Sequence, residues 1–320
     1  MNHTVANILI SGAGQLGSRH LQGLAKCHLP LRIYVQDIYE ESLSRAEQRW
    51  NEVLGPETHH DVSFHTSFES LPRQLDIAIV ATTAEVRPKM VGEIANLVTV
   101  RFWVLEKVLA QNESGLDEIV SHTRNSMGAW VNTPRRMMPW HQQIKTQLNL
   151  NHPMTLKVEG AWELACNAIH LLDLFAWWTG EKLQMVNTDH LAPHWFESKR
   201  QGSWEISGIL EARFSRGSRA LLSAEEGIAP LSMEVSDGQL SWLIKETEYL
   251  ATRSDGMKIP GRVVYQSEMS GTLVASILEG GYCDLPTLEE SVALHRVFIR
   301  SMLEHWKQVG NHAATSVPIT

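Results

Sequence analysis

Four groups of residues in this chain have the types and spacing to do chemistry. The first is Ser11-Gly12-Ala13-Gly14-Gln15-Leu16-Gly17, three glycines in a G-x-G-x-x-G pattern between an apolar run, Ala6–Ser11, and a helical stretch reaching about Lys26. In that setting Gly12 permits a tight turn, Gly14 lets the backbone approach a pyrophosphate, and Gly17 lets the helix lie close to the strand. The backbone N–H groups of Gln15 and Leu16, at the positive end of the helix, then face the phosphates. The second group is Asp37, 20 residues after Gly17 at the end of the next apolar run. A carboxylate there accepts hydrogen bonds from the adenosine ribose and repels a 2′-phosphate, so the pattern points to NAD(H) in preference to NADP(H). The competing reading of Asp37 is a helix N-cap.

The third group lies at the ends of later apolar runs. Thr82-Thr83 follow Ile77–Ala81, and Glu106-Lys107 follow Phe102–Leu105. Residues at the carboxyl ends of parallel strands border the crevice where such sheets bind ligands. A lysine ammonium there can hydrogen-bond a reacting oxygen and stabilise charge developing on it. On spacing alone Glu106-Lys107 reads rather as an exposed charge pair, and Thr82-Thr83 could equally be caps of the next segment. The fourth group is Asn132-Thr133-Pro134-Arg135-Arg136 together with Trp162-Glu163-Leu164-Ala165-Cys166-Asn167 and His170. Either arginine could clamp an anion bidentately or be an ordinary surface charge. His170 could exchange a proton near neutral pH or bond Asp173 three residues on. Trp162 could line a ligand or pack a sheet.

These groups require elements to hold them. In the first half, continuous apolar runs alternate with helical stretches at about 40–54, 87–96 and 115–125, the pattern of strands buried on both faces in a doubly wound parallel sheet. After a helix near Pro139–Leu148 the second half is strand-rich, with alternating polar and apolar residues at 155–162, 206–214, 220–224, 231–235, 239–244 and 262–266. That is an open, mainly antiparallel sheet with one wet face. A helix at Ala168–Trp178 interrupts it, and a long helix at Leu288–Val309 closes the chain. The expected fold class is an α/β Rossmann domain over residues 1–135 followed by an α+β domain over 136–320, with the closing helix packing back on the first domain.

The chain has 320 residues and a formal net charge of −8, with 28 Lys and Arg against 36 Asp and Glu, and no basic cluster. Nucleic acid and anionic membranes are therefore not expected partners. No apolar run reaches the ~18 residues of a membrane span. The N-terminus has no cationic start or small-residue cleavage site, and the three scattered cysteines (Cys27, Cys166, Cys283) suggest no disulfide framework, so a cytoplasmic location is expected. The 15 histidines show no metal-ligand spacing, and no metal is expected.

Together, Gly12-x-Gly14-x-x-Gly17 with His20, Asp37, Glu106-Lys107, Ile169-His170-Leu171-Leu172-Asp173, the segment Leu285–Ser291 and the ending Pro318-Ile319-Thr320 resemble the glucose–fructose oxidoreductase, inositol dehydrogenase and rhizopine catabolism (Gfo/Idh/MocA) family over nearly the whole chain. The resemblance implies an NAD(P)-dependent enzyme acting on a sugar, cyclitol or nucleotide sugar. It implies Lys107 and His170 as catalytic residues, Gly12, Gly14, Gln15, Leu16, Gly17, Asp37, Thr82, Thr83, Glu106 and Lys107 around the cofactor, and Arg135, Arg136, Trp162, Asn167 and His170 around the substrate. It also implies a homodimer or homotetramer built on the open sheet. The family's Glu-Lys-Pro reads Glu106-Lys107-Val108 here, a change expected to loosen the backbone. Its Asp-x-Gly-x-His reads Cys166-Asn167-Ala168-Ile169-His170. These two departures keep a second reading open, a non-catalytic dinucleotide or sugar sensor on the same fold.

Overall fold

A computed structural model describes residues 5–55, 58–225, 227 and 229–320. The first four residues, on which the leader expectation rests in part, lie outside the described residues. The chain forms two compact units. One comprises Met1–Ala110, Ser114–Asn132 and Val264–Leu288; the other comprises Gln111–Glu113, Thr133–Val263 and Glu289–Thr320.

The first unit follows the alternation of its sequence. Strands β1 (Ala6–Ser11), β2 (Leu31–Gln36), β3 (Asp61–His65), β4 (Gln74–Val80), β5 (Thr99–Glu106) and β6 (Gly128–Asn132) alternate with helices α1 (Gln15–Leu24), α2 (Glu40–Asn51), α3 (Arg87–Leu97) and α4 (Glu113–Thr123). The sheet order is β3-β2-β1-β4-β5-β6 and every pairing is parallel. Helices on both faces bury its central strands, and Ile8, Ile10, Ile77, Ile79, Val104 and Leu105 are fully shielded. Strand order reverses between β1 and β4, which opens a crevice at their carboxyl ends.

The second unit holds α5 (Pro139–Thr146), β7 (Thr155–Glu159), α6 (Leu164–Thr179), β8 (Leu183–Leu191), the short pair β9 (Phe196–Glu197) and β10 (Trp204–Glu205), β11 (Gly208–Phe214), β12 (Arg219–Ala224), β13 (Ser232–Ser236), β14 (Ser241–Lys245), β15 (Leu250–Arg253) and β16 (Lys258–Pro260). Eight of these strands form one sheet in the order β16-β15-β14-β13-β7-β12-β11-β8, antiparallel except where β7 meets β12. The period-2 pattern decides its faces: Leu156 and Val158 of β7 are buried while Thr155, Lys157 and Glu159 are exposed. On the inner side Phe175 of α6 meets Phe214 of β11 edge-on, with ring centroids 5.1 Å apart.

Three expectations change. The stretch 262–266 is not a strand but the approach to α7 (Gln266–Gly280), which belongs to the first unit and packs on α1. The two helices come unusually close, because a Cβ on Gly271 would lie 2.7 Å from the Gly23 carbonyl oxygen and one on Gly23 would lie 2.8 Å from Ser270 Cβ. The closing helix α8 (Leu288–Gln308) groups almost entirely with the second unit, where Arg296 and Arg300 grip Glu113 at 2.8–3.1 Å and Ser301 Oγ donates to the Val186 carbonyl at 3.0 Å. A single cut at residue 135 is therefore replaced by units each made of three segments. Cys27, Cys166 and Cys283 are all buried and none is in a disulfide. No described helix is long and apolar enough to cross a membrane.

Candidate functional site

In the first unit the glycine loop joins β1 to α1. Gly12 has φ +92°, a conformation that favours glycine, and a Cβ there would lie 2.9 Å from the Thr82 amide nitrogen. A Cβ on Gly17 would collide with the Gly12 carbonyl oxygen, so the first turn of α1 sits directly on the loop. Gly14 is different: nothing lies within 4 Å of where its Cβ would project. It is the N-cap of α1, and no side chain caps that end. The loop thus presents a bare backbone and uncapped amides to an open space, as an anionic diphosphate requires.

Asp37 follows β2. Its Oδ2 accepts from the Ala13 amide at 2.7 Å and its Oδ1 from the Tyr39 amide at 3.0 Å. These bonds fix the carboxylate against the glycine loop and leave each oxygen a further lone pair for a ribose hydroxyl. Gln15 Oε1 accepts from Arg49 Nη2 at 2.8 Å, and Leu16 is half-buried beside it. Thr82 Oγ1 is buried with no hydrogen-bond partner among the described residues, a polar atom left for a ligand beside Gly12. The Thr83 carbonyl accepts from the Arg87 amide at 3.0 Å as α3 begins.

Glu106 is not an exposed charge. It is 3% exposed, and its Oε1 accepts from His20 Nε2 at 2.9 Å and Asn132 Nδ2 at 2.5 Å. Gln266 closes the ring: its Oε1 accepts from Asn132 Nδ2 at 2.7 Å while its Nε2 reaches Ser270 Oγ at 2.9 Å and His20 Nδ1 at 3.2 Å. His20 Nδ1 also lies 2.9 Å from Ser270 Oγ, so both ring nitrogens are engaged. Burial alone would push the Glu106 carboxyl up, but the His20 and Asn132 bonds and the nearby Arg87 charge hold it below the usual carboxylate range. The network pins the carboxyl ends of β5 and β6 and thereby seats Lys107, the next residue.

Arg87 is the group that sequence reasoning missed. It is 1% exposed, and its guanidinium donates to the carbonyls of Thr82, Val108 and Leu109. It fastens the segment after β4 to the segment after β5. The signal was present, since a cation in the first turn of a helix opposes the helix dipole and needs another reason to be there. Val108, expected to loosen the backbone in place of proline, is fully buried with its carbonyl held by Arg87; the Lys107–Val108 peptide is cis.

In the second unit α6 carries Asn167 and His170. Its first turn is held by Glu205, fully buried, whose carboxylate accepts from the Ala165 amide at 2.7 Å and the Cys166 amide at 3.0 Å. Glu205 lies far along the chain and no local pattern marks it. Arg135 and Arg136 are neither surface arginines nor open anion clamps. Arg135 donates from Nε and Nη2 to the two oxygens of Glu246 at 2.9 and 3.0 Å. Arg136 donates from Nε and Nη2 to the two oxygens of Asp173 at 2.8 and 2.6 Å. Both forks are already matched by carboxylates of this chain. Asp173 also accepts from Thr133 Oγ1 at 2.8 Å, so it needs no bond from His170 to be satisfied. Arg135, Trp162 and Asn167 are brought together with Leu171 and Leu231 around one cavity of about 200 Å³.

No protein-family model and no curated protein matches the chain. Solved structures do. An oxidoreductase from Agrobacterium radiobacter, in complex with NAD+, L-tartaric acid and magnesium, superposes with a TM-score of 0.72 at 12% identity, over 97% of this chain and 100% of that one. Myo-inositol dehydrogenase from Lactobacillus casei, with NAD(H) and myo-inositol, gives 0.67 at 13% identity over 95% of each chain. The WlbA dehydrogenase from Bordetella pertussis, with NADH and UDP-GlcNAcA, gives 0.69 at 13% identity over 94% of this chain and 96% of that one. At 12–13% identity these likenesses show the fold alone, a Rossmann unit and a second unit built on a mainly antiparallel sheet.

Proposed function

We propose that the chain is an NAD(H)-dependent oxidoreductase that moves a hydride between nicotinamide and the hydroxyl or carbonyl carbon of a sugar, cyclitol or nucleotide sugar. The observation that carries this reading is the glycine loop. Gly14 faces open space at an uncapped helix end, and Asp37 is fixed beside it by the Ala13 amide. The bound dinucleotide would supply the hydride chemistry. Gly12, Gly14, Gln15, Leu16 and Gly17 would hold its diphosphate, Asp37 its ribose, and Thr82, Thr83 and the Glu106-Lys107 segment its nicotinamide end. Lys107 would polarise the substrate oxygen, and His170 would take or return its proton. Structures of the same fold hold NAD+, NAD(H) or NADH with L-tartaric acid, myo-inositol or UDP-GlcNAcA, which supports the substrate class.

The test is calorimetry with NADH and NADPH. NADH is expected to bind and NADPH to bind more weakly, and Gly14→Val should abolish both by filling the space the diphosphate needs. Binding of neither dinucleotide sinks the reading. Lys107→Ala should keep NADH affinity and lose about 10²–10³ in kcat, the cost typical of removing one donor to a developing oxyanion. Tight NADH binding with no change in 340 nm absorbance on any sugar or nucleotide sugar would favour the sensor reading. The exposed face of the eight-stranded sheet, with Thr155, Lys157, Glu159 and Arg219, gives room for a homodimer or homotetramer contact, which light scattering measures. A cytoplasmic location is supported by the absence of disulfides among the buried cysteines.

A further inference from the structure

The cavity in the second unit is small. At about 200 Å³ it exceeds the roughly 150 Å³ engineered void that accepts a benzene molecule, so it suits a single six-membered ring. One wall is a fixed aromatic face, because Trp162 Nε1 donates to the Ser223 carbonyl at 2.8 Å and cannot swing freely. Leu171 and Leu231 supply apolar surface. Asn167 Nδ2 donates to the Glu163 carbonyl at 3.1 Å, which leaves its amide oxygen as an acceptor. Arg135 commits Nε and Nη2 to Glu246, and its Nη1 is hydrogen-bonded to no described residue. A flat face, one donor and one acceptor match ring hydroxyls, which both give and receive hydrogen bonds.

Charge narrows the ligand further. The Arg135 guanidinium is matched by Glu246, with side-chain exposures of 18% and 13%. Arg136 is matched in the same way by Asp173. His141, 3.8 Å from Glu246, is fully buried, and burial lowers its basicity, so it adds no cation. A carboxylate entering the cavity would give up its hydration to meet a pair whose net charge is zero, a poor exchange in a partly dehydrated site.

We propose that this cavity is a subsite for an uncharged polyhydroxylated ring, and that the Arg135–Glu246 pair sets its selectivity against the corresponding acid. The inference rests on the sugar-class reading above and refines it.

The test uses the full chain and reads binding by calorimetry, with and without NADH, for myo-inositol and for the matched pair D-glucose and D-glucuronate. The wild-type protein is expected to bind the neutral polyols at least about tenfold more tightly than D-glucuronate. Glu246→Gln removes the matching charge and is expected to shift that ratio toward D-glucuronate by about tenfold or more. Trp162→Ala, which leaves the ion pair intact, should weaken polyol binding by about tenfold without changing NADH affinity. Glucuronate bound as tightly as glucose by the wild type, or no binding of any of the three probes, overturns the proposal. An unchanged ratio in a folded Glu246→Gln protein does the same; should that variant not fold, the wild-type ratio and Trp162→Ala decide. Polyol binding without turnover would instead count against hydride transfer and leave this subsite standing.

Discussion

Arg135 and Arg136 are neighbours in sequence yet spend their charge on carboxylates from different elements, Glu246 after β14 and Asp173 within α6. Nothing local announces such pairings, so a sequence reading finds the arginines and misses that they are already engaged. The same holds for Arg87 and Glu205, whose partners are backbone groups brought close only by folding. Features set by local geometry are legible: the glycine loop joins β1 to α1, and the Asp37 carboxylate meets it at the Ala13 amide. Glu246 gives the residue-scale prediction. Burial would raise its carboxyl, but the Arg135 charge and its hydrogen bonds outweigh this and hold it at about 2, against an ordinary 4.5. A lowered acid contributes stability that is present above its unfolded value and is lost as pH falls toward the folded one. The difference corresponds to about 3 kcal/mol. Denaturant unfolding should therefore find Glu246→Gln less stable by up to about that amount at pH 7, with the gap shrinking steadily below pH 4.5. A gap independent of pH would show that the pair does not supply it.

At the scale of elements, β1, α1, β2, β4 and β5 are readable because a strand buried on both faces must be apolar throughout. The helix α7 is not. Its sequence, QSEMSGTLVASILEG, carries Ser, Gly and Thr where a helix former is expected, and resembles a turn leading into a strand. The small residues exist for proximity, letting α7 approach α1 closely enough for Gln266 and Ser270 to reach His20. Gly271→Leu should therefore cost more than a helix propensity gain returns. Forcing a side chain into the Gly23 backbone is expected to destabilise the protein by about 1–3 kcal/mol, with a corresponding fall in Tm by calorimetry. A stabilised variant would mean the two helices can part at no cost.

For the molecule as a whole, the class of both units is legible from strand periodicity, but their boundaries are not. The chain leaves the Rossmann unit and returns to it, contributing Val264–Leu288 only after the eight-stranded sheet is complete. A return of that kind has no signature of its own, since Gly256, Pro260 and Gly261 ahead of it read as one more turn between strands. The expected consequence is that a fragment ending at residue 135 will not fold on its own, because it lacks α7 and leaves the α1 face and the Glu106 ring unmatched. Circular dichroism should show no cooperative thermal transition for it. A sharp transition near the Tm of the intact chain would contradict the division.

The three buried cysteines are distributed between the units, Cys27 and Cys283 in the first and Cys166 in the second. Burial pushes the Cys283 thiol up to about 12, so it remains protonated and inert while covered. A thiol-reactive dye therefore has nothing to label until part of the molecule opens. With native chemistry and no engineered probe, peptide mapping of the modified positions against time would clock the breathing of each unit separately, and would reveal whether saturating NADH slows labelling at Cys27 and Cys283 more than at Cys166.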